Sequence, residues 1–169
     1  MMEIKMATMK QVLIGVMMIG GLTLSACSEN ETATVDNAEQ TYLTAPLINP
    51  NEASAAQLAS VDGLNDTDVA AILAGRPFSS MSSLHAIISN GKEASELKDL
   101  YGRLFIKVGL NTGAEEDYKL IPSTLSPRHL AHEFDEYRPY NSLDDFVREM
   151  KKYVSDAEVE NLKRYVTLD

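Results

Sequence analysis

The chain has 169 residues and a formal net charge of -10, with 25 acidic side chains, 15 basic ones and a single cysteine. This charge disfavours proteins that hold nucleic acid on a broad basic surface, because like charges repel the phosphates. One cysteine excludes a disulfide framework and a metal site built from several thiolates. The sequence carries no phosphate-binding loop or nucleophile elbow, so we expect neither an enzyme nor a cofactor.

The first 26 residues combine Lys5 and Lys10 with an apolar stretch from Val12 to Leu24. The stretch is shorter than the roughly 20 apolar residues that a membrane span needs, and the pattern is typical of an export signal. It ends in Leu24-Ser25-Ala26-Cys27, which resembles the processing site of bacterial lipoproteins. The resemblance implies a signal peptide over 1–26 and a lipid anchor on Cys27. A secretory signal followed by an unrelated cysteine is the alternative.

An acidic tether is expected behind the lipidated cysteine, over residues 27–46. The segment is poor in large apolar side chains and contains Glu29, Glu31, Asp36 and Glu39. Such a composition predicts disorder. By resemblance to the lipoprotein class, Ser28 implies sorting to the outer membrane, with the periplasmic face preferred. Removal of residues 1–26 takes away one acidic and two basic side chains, which leaves 24 and 13 and a net charge of -11.

From residue 47 onward the chain repeats itself. Residues 51–61 align with residues 111–121 at an offset of 60, and each stretch begins with asparagine. Residues 72–84 align with residues 134–146 at an offset of 62, which pairs one Arg-Pro step with another. We therefore predict two tandem units, 47–107 and 108–169, with two extra residues in the second.

Capping and helix-breaking residues predict four short helices in the first unit. Ser54 with Gln57 forms a capping box, and Asn65 caps the second helix, which Arg76-Pro77 stops. The predicted helices span residues 54–61, 65–76, 81–89 and 94–104.

The second unit repeats this pattern. Thr112 with Glu115 is predicted to open its first helix, Ser126-Pro127 to start the second, and Pro139 to stop it. Two further helices are predicted over 143–154 and 156–166, with brief extended pieces at 105–108 and at the last residues. The prediction is an all-α fold with about four short helices in each unit.

The order of motifs resembles a known family. Asn51, Leu58, Gly63, an alanine-rich helix and Arg76-Pro77-Phe78 resemble the helix-hairpin-helix domain of the competence DNA-uptake receptors (ComEA-like). The second unit resembles it again through Leu110-Asn111-Thr112, Ser126-Pro127-Arg128 and Arg138-Pro139-Tyr140. The resemblance covers nearly all of residues 47–169 and implies the fold. It leaves the function open, because subunit U of photosystem II, which binds proteins, is similar in the same way.

In nucleic-acid-binding members of this family, a glycine-rich hairpin and the helix start behind it hold a phosphate. The first hairpin here, Gly63-Leu64-Asn65, departs from that pattern, because Asn65 replaces the second glycine. Asp66 and Asp68 follow in the first helical turn, where they stabilise the helix start and repel a phosphate. We expect no DNA binding at this hairpin.

The second hairpin is the candidate site for an anion or a partner. It offers three hydroxyl groups, a helix start and two side chains that can carry positive charge, from Ser123, Thr124, Ser126, Arg128 and His129. A phosphate, a carboxylate or an acidic peptide fits these groups. Three acidic residues between 133 and 136 oppose DNA binding, which needs several basic contacts.

A histidine pair at the same helix was also considered as a metal site. His129 and His132 lie three residues apart, with Glu133 and Glu136 nearby, and such spacing can face one ion. The sequence identifies no further ligand at a distance, so a solvated helix face is the simpler interpretation. We predict no metal.

These patterns favour a non-catalytic, lipid-anchored protein of the bacterial cell envelope. Its tandem helix-hairpin-helix units are expected to bind an envelope protein or to organise a complex, and the lipid to hold it on the membrane. The alternative is a ComEA-like lipoprotein that binds DNA for uptake. A third hypothesis assigns binding to the second unit alone, with the first as a packed spacer.

Overall fold

The computed structural model describes residues 46–169, is mostly helical and contains eight α-helices in that range. The predicted signal peptide, the processing site at Leu24-Ser25-Ala26, the lipidated Cys27 and nearly all of the tether lie outside the described residues. The mostly helical structure confirms the predicted all-α fold. Among residues 46–169, no helix has the length and apolar character that crossing a bilayer requires.

Four helices precede residue 108 and four follow it. The first four are α1 (Ala55–Ala59), α2 (Asp66–Gly75), α3 (Met81–Ile88) and α4 (Ala94–Tyr101). The others are α5 (Glu115–Tyr118), α6 (Pro127–Glu136), α7 (Leu143–Met150) and α8 (Asp156–Leu162), followed by a 3-10 turn (Lys163–Tyr165). Strands β1 (Val108–Gly109) and β2 (Val166–Thr167) form a two-stranded parallel sheet, in which Val108 faces Val166.

Short polar side chains start most of these helices, as the sequence predicts. Ser54 Oγ accepts from Gln57 N at 3.2 Å, and Gln57 Oε1 accepts from Ser54 N at 2.9 Å, which is the expected capping box. Ser126 caps α6 with Pro127 in its first turn. Each cap satisfies backbone N–H groups that a helix start leaves without intrahelical partners.

The predicted cap of α5 is wrong. Ala114 holds the cap position without a side-chain hydrogen bond, and the helix has one turn. The Thr112 hydroxyl donates instead to the carboxylate of Asp169 at the end of the chain. That partner is 57 residues away, so no local pattern could reveal it. Helices α4 and α7 also end earlier than predicted, at Tyr101 and Met150.

One cluster of buried apolar side chains runs through both halves of the described chain. Its largest fully buried members include Leu58, Ile72, Phe105, Tyr118, Phe134, Phe146 and Tyr165. Edge-to-face ring contacts connect Tyr118 with Phe134 and Phe134 with Phe146, at centroid separations of 5.0 and 5.1 Å. The two halves therefore share a core in the described residues.

Asn51 and Asn111, which the alignment pairs, make equivalent contacts. The Asn51 amide donates to Phe78 O at 2.9 Å and accepts from Phe78 N at 2.8 Å. The Asn111 amide does the same with Tyr140, at 3.0 and 2.8 Å. Each asparagine thereby holds the segment that follows α2 or α6 against the segment before α1 or α5.

The two Arg-Pro steps also match. Both peptide bonds, Arg76-Pro77 and Arg138-Pro139, are cis. Arg76 Nη2 donates to Ala53 O, and Arg138 Nη2 donates to Gly113 O, both at 2.6 Å. Each arginine thus binds a carbonyl just before the first helix of its own half.

Candidate functional site

The first hairpin already satisfies its own helix start. Gly63 adopts φ = 89°, which a residue without a side chain tolerates, and Leu64 packs against the core. Asn65 Oδ1 accepts from Asp68 N at 2.9 Å, and Asp68 Oδ2 accepts from Asn65 N at 3.1 Å. The Asp68 carboxylate also pairs with Lys92 at 2.9 Å. A phosphate bound at this hairpin would have to compete with the Asp68 carboxylate, which already accepts from Asn65 N and pairs with Lys92.

A carboxylate also reaches the second hairpin. Thr124 N donates to Glu158 Oε1 at 2.8 Å, and Glu158 comes from α8, 34 residues later. Leu125 N donates to Ser123 Oγ at 3.1 Å, and His129 N donates to Ser126 Oγ at 3.4 Å. The chain's own oxygens therefore occupy three backbone donors that an anion would use. The sequence did not predict the Glu158 contact.

The two basic candidates point to one side of α6. His129 Nε2 lies 3.1 Å from Glu133 Oε1, and Arg128 is exposed. Both line a cavity of about 510 Å³, whose other lining residues are Glu115, Ser126, Ala131, His132 and Asp135. The pKa of Glu115 is lowered because Lys119 donates a hydrogen bond to its carboxylate and places a positive charge beside it. The cavity thus has mixed charge.

A larger groove lies on the other side of the hairpin. Its volume is about 680 Å³, and residues from both halves of the chain line it. α3 and α4 contribute His85, Ala94, Ser95, Leu97, Lys98 and Tyr101, and the segment from α5 to α6 contributes Lys119, Leu120, Ile121, Pro122, Ser123, Thr124, Leu125, Ser126 and Pro127. Most of the lining is apolar. Ser126 lines both this groove and the smaller cavity.

The groove differs in charge from the chain around it. None of the described residues that line it is acidic, although the chain as a whole has 25 acidic side chains. Its ionisable residues are Lys98, Lys119, His85 and Tyr101. His85 Nδ1 lies 2.6 Å from the Tyr101 hydroxyl, and burial raises the pKa of Tyr101, so this phenol stays neutral. The described lining residues therefore supply two ammonium groups and no carboxylate, although Lys119 is paired with Glu115 at 2.8 Å.

The structure divides the candidate residues of the second hairpin. Ser123 and Thr124 line the apolar groove, Arg128 and His129 line the smaller cavity, and Ser126 lines both. The first hairpin, Gly63-Leu64-Asn65, lines neither. Sequence analysis missed the contribution of α4 to the groove, although Leu97 and Tyr101 are one helical turn apart and so share a face.

Comparison with known proteins gives no relative for this chain. No family model matches, and neither the curated proteins nor the solved structures contain a match. The resemblance to helix-hairpin-helix proteins therefore stays a prediction that depends on the residues themselves.

Proposed function

We propose that this chain is a non-catalytic, lipid-anchored protein of the bacterial cell envelope that binds an acidic, partly apolar segment of a protein partner. The observation that carries the proposal is the apolar groove beside the second hairpin. It joins a floor of aliphatic side chains to Lys98 and Lys119 and is free of acidic lining residues in the part of the chain that the structure describes.

The chemistry of the groove matches such a segment. Apolar side chains of the partner would leave water on binding, which contributes roughly 25 cal/mol per Å² of buried apolar area. Carboxylates of the partner would meet the ammonium groups of Lys98 and Lys119 and exposed hydroxyls, although Lys119 already pairs with Glu115 and the Glu158 carboxylate approaches Thr124 N. A polar rim around an apolar centre is the usual anatomy of a protein-binding site.

Asn51 and Asn111 make equivalent hydrogen bonds in their own halves, and so do Arg76 and Arg138. This correspondence supports two tandem helix-hairpin-helix units. Helices from the first half and the hairpin of the second half both line the groove. The proposed site therefore needs both units, in contrast to the hypothesis that the second unit binds alone. The proposed anchor depends on the resemblance of residues 24–27 to lipoprotein processing sites.

Photocrosslinking in the native bacterium tests the proposal. A photoreactive phenylalanine analogue replaces Thr124, an exposed residue at the groove, and in a matched control it replaces Asp144, an exposed residue of α7 outside the groove. We expect a discrete protein adduct from position 124 and none from position 144. Adducts of equal yield from both positions, or no adduct from position 124, would contradict the proposed site.

DNA binding is the second candidate, and the hydroxyls and Arg128 at the start of α6 are the observation that favours it. The Glu158 carboxylate at Thr124 N weighs against it, since it places negative charge where a phosphate would bind. Fluorescence anisotropy of the full chain with double- and single-stranded DNA at several salt concentrations separates the two candidates. Binding that weakens with salt and is lost in Arg128→Glu would make DNA the leading candidate. We expect no binding.

A further inference from the structure

Helix α6 presents two histidines and two glutamates on one face. His129, His132, Glu133 and Glu136 follow the spacing i, i+3, i+4 and i+7, which places all four along one side of a helix. Each histidine contacts the glutamate four residues later: His129 Nε2 lies 3.1 Å from Glu133 Oε1, and His132 Nε2 lies 3.3 Å from Glu136 Oε2.

Three of these side chains bring potential ligand atoms together. One nitrogen of His132 and one carboxylate oxygen each of Glu133 and Glu136 all lie within 4.8 Å of one another. Ligands of a tetrahedral zinc ion lie roughly 3.4 Å apart, since metal–ligand distances are about 2.1 Å. The side chains of His132 and Glu136 are 69 % and 51 % exposed, so small rotations can close that difference.

Glu133 differs from the other two because it is buried, with 4 % of its surface exposed. Its Oε1 contacts His129, and its Oε2 is buried. The Tyr153 hydroxyl hydrogen-bonds to the Glu133 carboxylate and lies 2.6 Å from the Tyr137 hydroxyl. Burying a carboxylate is costly unless its charge is compensated, and a cation beside it lowers that cost.

We propose that His132, Glu133 and Glu136 bind a divalent transition metal ion of the zinc class. One imidazole with two carboxylates suits such an ion better than magnesium or calcium, which prefer oxygen ligands only. His129 does not bind the ion. It contacts Glu133 Oε1 at 3.1 Å and thereby positions this carboxylate beside His132 and Glu136. The site revises the interpretation of this face as merely solvated, and it does not depend on the proposed partner.

Isothermal titration of the purified full chain with zinc chloride tests the site. The titration uses a Cys27→Ser background, because an unlipidated thiol would compete as a zinc ligand. We expect one ion per chain with micromolar or tighter affinity, and no measurable magnesium binding. The double variant His132→Ala/Glu136→Gln changes only exposed side chains, so it is expected to fold and to bind zinc at least tenfold more weakly. His85→Ala removes the remaining histidine and is the matched control, with unchanged affinity.

A second variant separates positioning from ligation. His129→Ala is expected to weaken zinc binding by roughly 10- to 100-fold, as loss of a group that orients a ligand does elsewhere. The visible absorption bands of the cobalt-loaded variant should match those of the parent, because the three ligands are unchanged. The proposal is overturned if zinc does not bind in one-to-one ratio, or if the folded double variant binds it as tightly as the parent.

Discussion

The two halves of the described chain share a framework and differ in their hairpins. Asn51 and Asn111 make the same pair of hydrogen bonds, and Arg76 and Arg138 each bind a carbonyl in the loop before the first helix. The first hairpin is held by an asparagine–aspartate capping box of its own. In the second hairpin, Thr124 N donates to the Glu158 carboxylate of α8, and the hairpin lines a groove. The framework is common to both halves, and the hairpins differ in the groups that surround their backbone N–H donors.

The two arginines occupy equivalent positions in the repeat but make different numbers of hydrogen bonds. Arg138 donates to Leu110 O at 2.8 Å, to Gly113 O and to the Tyr118 hydroxyl, and it pairs with Asp135 at 2.9 Å. In the first half, Arg76 donates to Ala53 O, while its buried Nε has no hydrogen-bond partner among residues 46–169. Arg138 is therefore the more tightly held of the two arginines.

The largest expected effect comes from the shared core. Ile72 and Phe134 are aligned in the repeat, and both are fully buried. Phe134→Ala should lower the free energy of unfolding by about 3–5 kcal/mol and Ile72→Ala by about 2–5 kcal/mol, because each leaves a cavity. Urea denaturation followed by circular dichroism and by tyrosine fluorescence should show one transition that both variants lower. Two separate transitions, each moved by only one variant, would mean that the halves fold independently.

Substitution of the two arginines should lower the free energy of unfolding by different amounts. Arg138→Met removes three donated hydrogen bonds and should cost about 3 kcal/mol, whereas Arg76→Met removes one and should cost about 1 kcal/mol. The free energy of unfolding from urea denaturation measures both. Equal costs would contradict the asymmetry that we assign to the two arginines.

The asparagine pair should show what the halves share. Asn51→Ala and Asn111→Ala each remove two hydrogen bonds to the backbone of an aromatic residue, so each should cost about 2 kcal/mol. The Asn111 amide also donates to Asp169 O at 2.9 Å, at an exposed position, which should add only a few tenths of a kcal/mol. Thermal unfolding of the two variants compares them. A large difference in the melting temperature would show that the matched contacts are not equivalent in energy.

The smallest expected effect is a loss of folding stability at low pH that arises from a contact in the second half. The pKa of Asp169 is lowered because Thr112 donates a hydrogen bond to its carboxylate. The pKa of Asp169 is lower in the folded protein than in the unfolded chain. The bond therefore stabilises the folded protein at pH values above the unfolded pKa, and this stabilisation is lost as the pH falls through the folded pKa. Stability should therefore decline below pH 3.8, the usual pKa of the group. Asp169→Asn should reduce that decline slightly, since the carboxylate is exposed. An identical decline in both proteins, measured by urea denaturation at pH 5 and pH 3, would exclude this contribution.

Local signals predicted much of the fold. Ser54 with Gln57, and Ser126 before Pro127, mark helix starts that the structure confirms, and α2 ends just before Arg76-Pro77 as expected. These are contacts within three or four residues, so the sequence displays both partners.

Features that join distant segments could not be predicted in this way. The bond of Thr112 to Asp169 spans 57 residues, and the bond of Thr124 to Glu158 spans 34. The groove combines α4 with the loop before α6, a pairing that depends on how the two halves pack. The burial of Glu133 was missed for the same reason, because helical spacing shows a shared face but not what covers it.

Charge reversal in the groove tests the central claim most directly. Lys98→Glu/Lys119→Glu is introduced into the chain that carries the photoreactive residue at position 124, and Lys107→Glu/Lys151→Glu, outside the groove, is the control with the same net charge. The quantity measured is the yield of protein adduct in the native bacterium. We predict a loss of at least tenfold for the groove variant and little change for the control. An unchanged yield in the groove variant, or an adduct that nuclease rather than protease removes, would contradict binding of an acidic protein segment in this groove.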